Sequence, residues 1–199
     1  PSSWYCSICA RVNMPLLLLV SVWLGVYVSE IKPVTPYYET TDPMAEEDPI
    51  TRWQDVAIDD LPRDLRFRPC ANGDPQALTR AQLEAFNRDG FVKGVRVFAD
   101  EEIAAIRAYF DALLARVLAA GGDAYSINSA HLSYGRVYDL LAHRRIVPYL
   151  QDLLGPDLIG WGAHFFCKMP HDPKTVSWHQ DASYWPMTPS KTATVWLAV

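Results

Sequence analysis

The sequence predicts an α+β chain, with helices first and strands after, mostly β towards its end. Apolar residues recur at helical spacing between Thr79 and Leu154, with capping and stop residues where the pattern begins and ends. From Leu158 the period changes to that of strands, over 158–168 and again over 192–199. The 199 residues are half apolar and 21% charged, the composition of one ordinary globular domain, or one domain and a tail. A net charge of −5 leaves no basic footprint for nucleic acid. Seven Trp and ten Tyr point to a large core or an aromatic-lined pocket. Four Cys are too few for a disulfide scaffold, and Cys6-Ser7-Ile8-Cys9 has no second Cys pair to complete a zinc site.

The helical half reads in order. Thr79-Arg80-Ala81-Gln82 is a capping box, Leu83 and Phe86 supply an apolar face, and Gly90 is a C-terminal stop. Phe91 to Phe98 alternates loosely and suits a short strand. Asp100 is expected to cap a second helix, with Glu101 and Glu102 complementing its dipole. Ile103, Ile106, Phe110, Leu113, Leu114, Val117 and Leu118 trace one face of it, and Gly121-Gly122 ends it. Val137 to Leu154 reads as helix, interrupted at Pro148 and stopped by Gly155-Pro156. Leu158 to Lys168 is a strand and Met169 to Ser177 a loop. In the final strand, Thr194, Trp196 and Ala198 share one face, and Val195, Leu197 and Val199 the other.

The first 77 residues differ. Met14 to Val28 is almost wholly apolar, short for a membrane span of about 20 residues. It has the length of a signal-peptide core, although no small-residue cleavage site follows. A signal or anchor, a buried element of the fold, and upstream sequence translated in error ahead of Met44 all remain open. Residues 1–43 are set apart as an apolar or irregular segment, possible to dispense with. Residues 44–77, rich in Pro and Asp, form an extended lead-in with Trp53 and Phe67 as isolated anchors. The domain proper is expected over 78–199. Both ends look cut, so the chain is expected to be a fragment of a longer protein, cytoplasmic and without stable membrane association; a secreted or anchored protein is the rival if 14–28 is a real signal.

The chemistry concentrates in Ser177-Trp178-His179-Gln180-Asp181-Ala182-Ser183-Tyr184-Trp185. In an extended backbone, residues two apart point to the same face, which sets the His179 imidazole beside the Asp181 carboxylate. Those are two thirds of the 2-His-1-carboxylate triad of non-haem Fe(II) oxygenases. A bare His-x-Asp recurs by chance; its context is more specific. Leu78-Thr79, Leu83, Phe86 and Asp89-Gly90-Phe91-Val92 are followed by the long helix and Asp152-Leu153-Leu154-Gly155-Pro156. Phe165-Phe166-Cys167-Lys168, Trp178-His179-Gln180-Asp181 with Tyr184-Trp185, and Thr194-Val195-Trp196-Leu197-Ala198 then occur in turn. Over residues 78–199 this order and spacing resembles the phytanoyl-CoA dioxygenase family of Fe(II)/2-oxoglutarate-dependent oxygenases.

The resemblance implies a helix-flanked double-stranded β-helix, or jelly roll, incomplete in this chain, with 2-oxoglutarate and O₂ as co-substrates and a small organic substrate. It implies His179 and Asp181 as iron ligands. The family's distal His and its 2-oxoglutarate-binding Arg lie beyond the His-x-Asp strand, and the sequence stops before both, so the isolated chain is expected to be inactive. The resemblance places Trp196 in the 2-oxoglutarate pocket, against a core position as the plainer alternative. Gln180, Lys168 and His164 are weaker candidates for the same pocket; a solvated Lys and a hydrogen-bonded sheet His are equally ordinary. Tyr184 and Trp185 are candidates for the substrate entrance, although core is the commoner fate of aromatics. A carboxylate at 181, rather than the small residue of related halogenases, implies hydroxylation. The rival from another class is a non-catalytic β-barrel binding module of the same fold.

Overall fold

The computed structural model describes the backbone strands 19–28 and 32–33, and residues 61–124, 127–169, 171, 177, 179 and 181–199. The first helix, α1 (Arg80–Asp89), has the predicted caps. Gln82 N donates to Thr79 Oγ1 at 3.2 Å, and Thr79 N donates to Gln82 Oε1 at 2.8 Å. Gly90 closes the helix in the left-handed region (φ 81°), its N–H donating to Phe86 O. Helix α2 (Asp100–Ala119) includes Asp100 as its first residue, with Ala99 in the capping position. The expected cap at Asp100 is replaced by Glu102, which reaches back to accept from Ala99 N at 2.8 Å. Arg145 pairs with the same carboxylate and, with that backbone N–H, holds its pKa down at about 2.

Residues 91–98 form no strand. A strand needs a partner backbone, and none of the described strands pairs there. The segment is instead anchored by its last side chain: Phe98 is buried, with the His143 ring 4.8 Å away and the Arg145 guanidinium 4.7 Å over it. The predicted helix 137–154 is two helices, α3 (Gly135–Leu141) and α4 (Val147–Leu154). Pro148 lies in the first turn of α4, where its missing N–H costs nothing, so it starts a helix rather than interrupting one.

Three strands form one sheet: β1 (Leu19–Val28) lies between β3 (Leu158–Lys168) and β5 (Thr192–Ala198), antiparallel to both. The register sets Val22 opposite Phe165 and Leu197, and Leu24 opposite Ala163 and Val195. A separate ribbon pairs β2 (Lys32–Pro33) with β4 (Met187–Thr188). Strand β1 falls within the stretch set apart on sequence grounds. Its run is apolar at nearly every position, so it carries no period of two to read. Both sheets are open, and among the described residues no barrel closes.

The faces of β5 divide as predicted, and those of β3 alternate from Ala163 to Cys167. Ala163, Phe165, Cys167 and Leu197 are buried and join Phe110, Leu113 and Leu114 of α2 and Val137, Leu140 and Leu150 of α3 and α4 in one core. The rings of Phe110 and Phe165 are 4.9 Å apart. The other face carries His164, Phe166 and Trp196, with the Phe166 ring 5.4 Å from His164 and 5.7 Å from Trp196. Among the described residues, no helix is long and apolar enough to cross a membrane.

The lead-in from residue 61 to 78 is irregular, as expected, yet closely tied. Asp152 of α4 is buried and accepts from the N–H groups of Gln76, Ala77 and Leu78 at 2.7–2.9 Å. Asn87 of α1 both donates to and accepts from the backbone of Cys70. Phe67 packs its ring 5.9 Å from Phe86.

Candidate metal centre

Among the described residues no strand runs through the His-x-Asp motif: Ser177 and His179 lie in neither helix nor strand, and Asp181 opens a single 3₁₀ turn, Asp181–Tyr184. The two side chains still meet. His179 Nε2 is 3.2 Å from Asp181 Oδ1. His179 Nδ1 is 2.7 Å from the carbonyl oxygen of Ser177. A carbonyl only accepts, so the Nδ1 proton is fixed there and Nε2 is the nitrogen left facing the carboxylate. Two lone pairs at that separation repel, and a cation between them, a proton or a metal ion, turns repulsion into attraction. Asp181 is oriented from the other side: Thr194 Oγ1 on β5 donates to Oδ2 at 2.7 Å, leaving Oδ1 towards His179. Both side chains are about one third exposed, and the Tyr184 ring meets the imidazole edge-on at 5.5 Å.

An imidazole with its far nitrogen tied to a carbonyl, beside a hydrogen-bonded carboxylate, is a donor pair that suits Fe(II). Among the described residues no group of three or more His, Cys, Asp or Glu is arranged to hold a metal. His131 is engaged elsewhere, its Nδ1 accepting from Ala163 N at 3.1 Å.

The remaining candidates separate. Trp196 and His164 share a sheet face with Thr194, through which β5 reaches Asp181. Burial pushes the His164 pKa below its ordinary value and favours the neutral ring. Lys168 is exposed at the end of β3. Tyr184 is 62% exposed beside His179, where an entrance residue would stand. Trp185 is buried in the core instead, because the 3₁₀ turn rotates consecutive side chains to different sides. Gln180 lies outside the described residues, as does Trp53.

Nothing in the sequence singles out Arg63 or Asp64, yet both reach the segment that carries Asp181. Arg63 Nη1 donates to Ser183 O at 2.8 Å and to Trp185 O at 3.1 Å. Asp64 N donates to Thr188 Oγ1, and Asp64 O accepts from Ser190 N, each at 3.0 Å. Their targets are mostly backbone groups, which carry no residue identity for a motif to record.

A family model described as phytanoyl-CoA dioxygenase matches residues 86–199, from α1 through the His179 and Asp181 turn to the last strand. The chain belongs to the phytanoyl-CoA dioxygenase family. That family generally comprises dioxygenases of the Fe(II)/2-oxoglutarate type. No curated protein and no solved structure matches the chain.

Proposed function

We propose that this chain carries the iron-binding face of a dioxygenase that uses Fe(II), 2-oxoglutarate and O₂ to hydroxylate a small organic substrate. The observation that supports it is the His179 Nε2 to Asp181 Oδ1 approach of 3.2 Å, with each partner oriented from behind. Iron, when bound, supplies O₂ activation coupled to decarboxylation of 2-oxoglutarate.

The chain's own residues prepare that site. The Ser177 carbonyl selects the tautomer with a free lone pair on Nε2. The Asp181 carboxylate supplies negative charge to a divalent cation, and the Thr194 hydroxyl keeps one of its oxygens turned away. That carboxylate fills the position a halide would need, which favours hydroxylation over halogenation. Trp196, with His164, Lys168 and Gln180 as weaker members, is the proposed wall for 2-oxoglutarate, and Tyr184 stands at the proposed entrance. The β3-β1-β5 sheet is the proposed wall of a helix-flanked jelly roll.

The test is succinate formation from 2-oxoglutarate with Fe(II) and O₂, using protein expressed from its full reading frame. Wild type should turn over; His179→Ala and Asp181→Ala should each lose on the order of 100-fold or more, since even residues behind a ligand cost 10–100-fold. Unchanged turnover in Asp181→Ala overturns the metal reading. A wild type that binds neither Fe(II) nor 2-oxoglutarate is a binding module of the same fold, not an oxygenase.

A further inference from the structure

The turn that presents Asp181 is one 3₁₀ turn, Asp181–Tyr184. So short a helix cannot satisfy its own last carbonyls, which must find donors elsewhere. Near that end Trp185 N donates to Ala182 O at 3.3 Å and Met187 N to Trp185 O at 2.8 Å. Another donor comes from about 120 residues earlier. Arg63 spends both N–H groups of one nitrogen on the carbonyls of Ser183 and Trp185. A cation at the C-terminal end of a helical turn is also on the favourable side of its dipole. The next residue extends the attachment, since Asp64 bonds Thr188 and Ser190. Asp64 is itself braced: Arg66 and Arg68 both donate to its carboxylate and hold its pKa well below the usual range.

The turn has two other fixed points. Asp181 is tied at its start to Thr194, and Tyr184 at its end packs on His179. Releasing the carbonyl end frees Tyr184 and lets the turn unwind towards Asp181. The spacing between His179 and Asp181 then loses the support of the turn.

We propose that Arg63 is a positioning residue for the candidate metal centre: by clamping the carbonyls of Ser183 and Trp185 it holds the turn that sets Asp181 against His179. This rests on the metal reading of that pair. Arg63 touches neither His179 nor Asp181 through any of these bonds, so its effect is carried by the backbone.

The experiment compares the full chain with Arg63→Met, Arg63→Lys, His179→Ala and Asp152→Asn, the last a destabilised control with no bond to the turn. Two quantities are read: amide exchange over 181–190, with no metal, and binding of Co(II) alone, followed by its visible absorption. In Arg63→Met, exchange over 181–190 should quicken about tenfold while α2 is unchanged, and Co(II) should bind about 10–100-fold more weakly. Arg63→Lys keeps a cationic donor and should recover part of both. Asp152→Asn should lose stability and keep its Co(II) affinity. If Arg63→Met opens the turn but binds Co(II) as tightly as wild type, the arginine is merely structural and the proposal is overturned. An equal weakening in Asp152→Asn overturns it too, as does unchanged exchange in both Arg63 variants. If His179→Ala binds Co(II) as well as wild type, the metal reading itself falls and takes this proposal with it.

Discussion

Asp152→Asn keeps the shape of the side chain and removes the charge on which four donors converge. One carboxylate oxygen accepts from Gln76 N at 2.9 Å and from Asn72 Nδ2 at 3.4 Å; the other accepts from Ala77 N and Leu78 N, each at 2.7 Å. The residue is 5% exposed, so water cannot replace what is lost. An amide turned either way presents its NH₂ to a backbone N–H, donor against donor. Hydrogen bonds to a charged group are worth roughly 1.5–3 kcal/mol each, less the cost of burying the charge. Removing one partner from such a buried network costs about 3–5 kcal/mol. At about 3 °C per kcal/mol for a unit of this size, Tm should fall by roughly 10–15 °C. Burial by itself raises the Asp152 pKa, and the N–H groups of Gln76, Leu78 and Ala77 with Asn72 more than offset it, so the folded value is lowered. The stabilisation is then complete above the unfolded carboxylate pKa of about 4 and is lost as pH falls through the lower folded value. Thermal melts followed by circular dichroism, near neutral pH and in strong acid, measure both effects. A neutral-pH difference under about 3 °C, or a difference that does not narrow on acidification, would refute the assignment of Asp152 as an ionised anchor.

Two further perturbations probe the sheet and the site. Val20→Cys should form a disulfide with the native Cys167, because the two positions are direct partners of antiparallel strands, about 4.5–5.5 Å apart at Cα and within disulfide reach. Leu19→Cys, opposite Lys168, should not. Peptide mapping under non-reducing conditions reads the link, and its absence, or an equal yield in both variants, would remove β1 from the sheet. Thr194→Val removes the bond to Asp181 Oδ2 without changing side-chain size; Co(II) affinity should drop about tenfold and Thr194→Ser should keep it. Equal affinity in all three proteins would show that the hydroxyl does not orient the carboxylate.

Local signals in the chain are legible because their physics is local. Thr79 and Gln82 satisfy each other across three residues, and Gly90 meets a left-handed position that few other residues tolerate. Strands β3 and β5 alternate because one of their faces meets helices α2 to α4. Asp100 and Pro148 are ambiguous by a residue or a turn: two acidic side chains compete for one N-terminus, and a proline that breaks a helix also starts one.

By itself the sequence determined the helices that begin at Arg80 and Asp100, the strands over 158–168 and 192–198, the two faces of β5, and the pairing of an imidazole with a carboxylate two positions later; it did not place strands ahead of the helices. Each follows from residues within one turn or one pleat of one another. Only the tertiary structure decided that 19–28 lies between β3 and β5, that Trp185 is core while Tyr184 is exposed, and that Arg63 and Asp152 anchor the lead-in to the site and to α4. These depend on partners 74 to about 180 positions away. A uniformly apolar run does not say which strands it will join, and a hydrogen bond to a backbone carbonyl leaves no mark on the residue that accepts it.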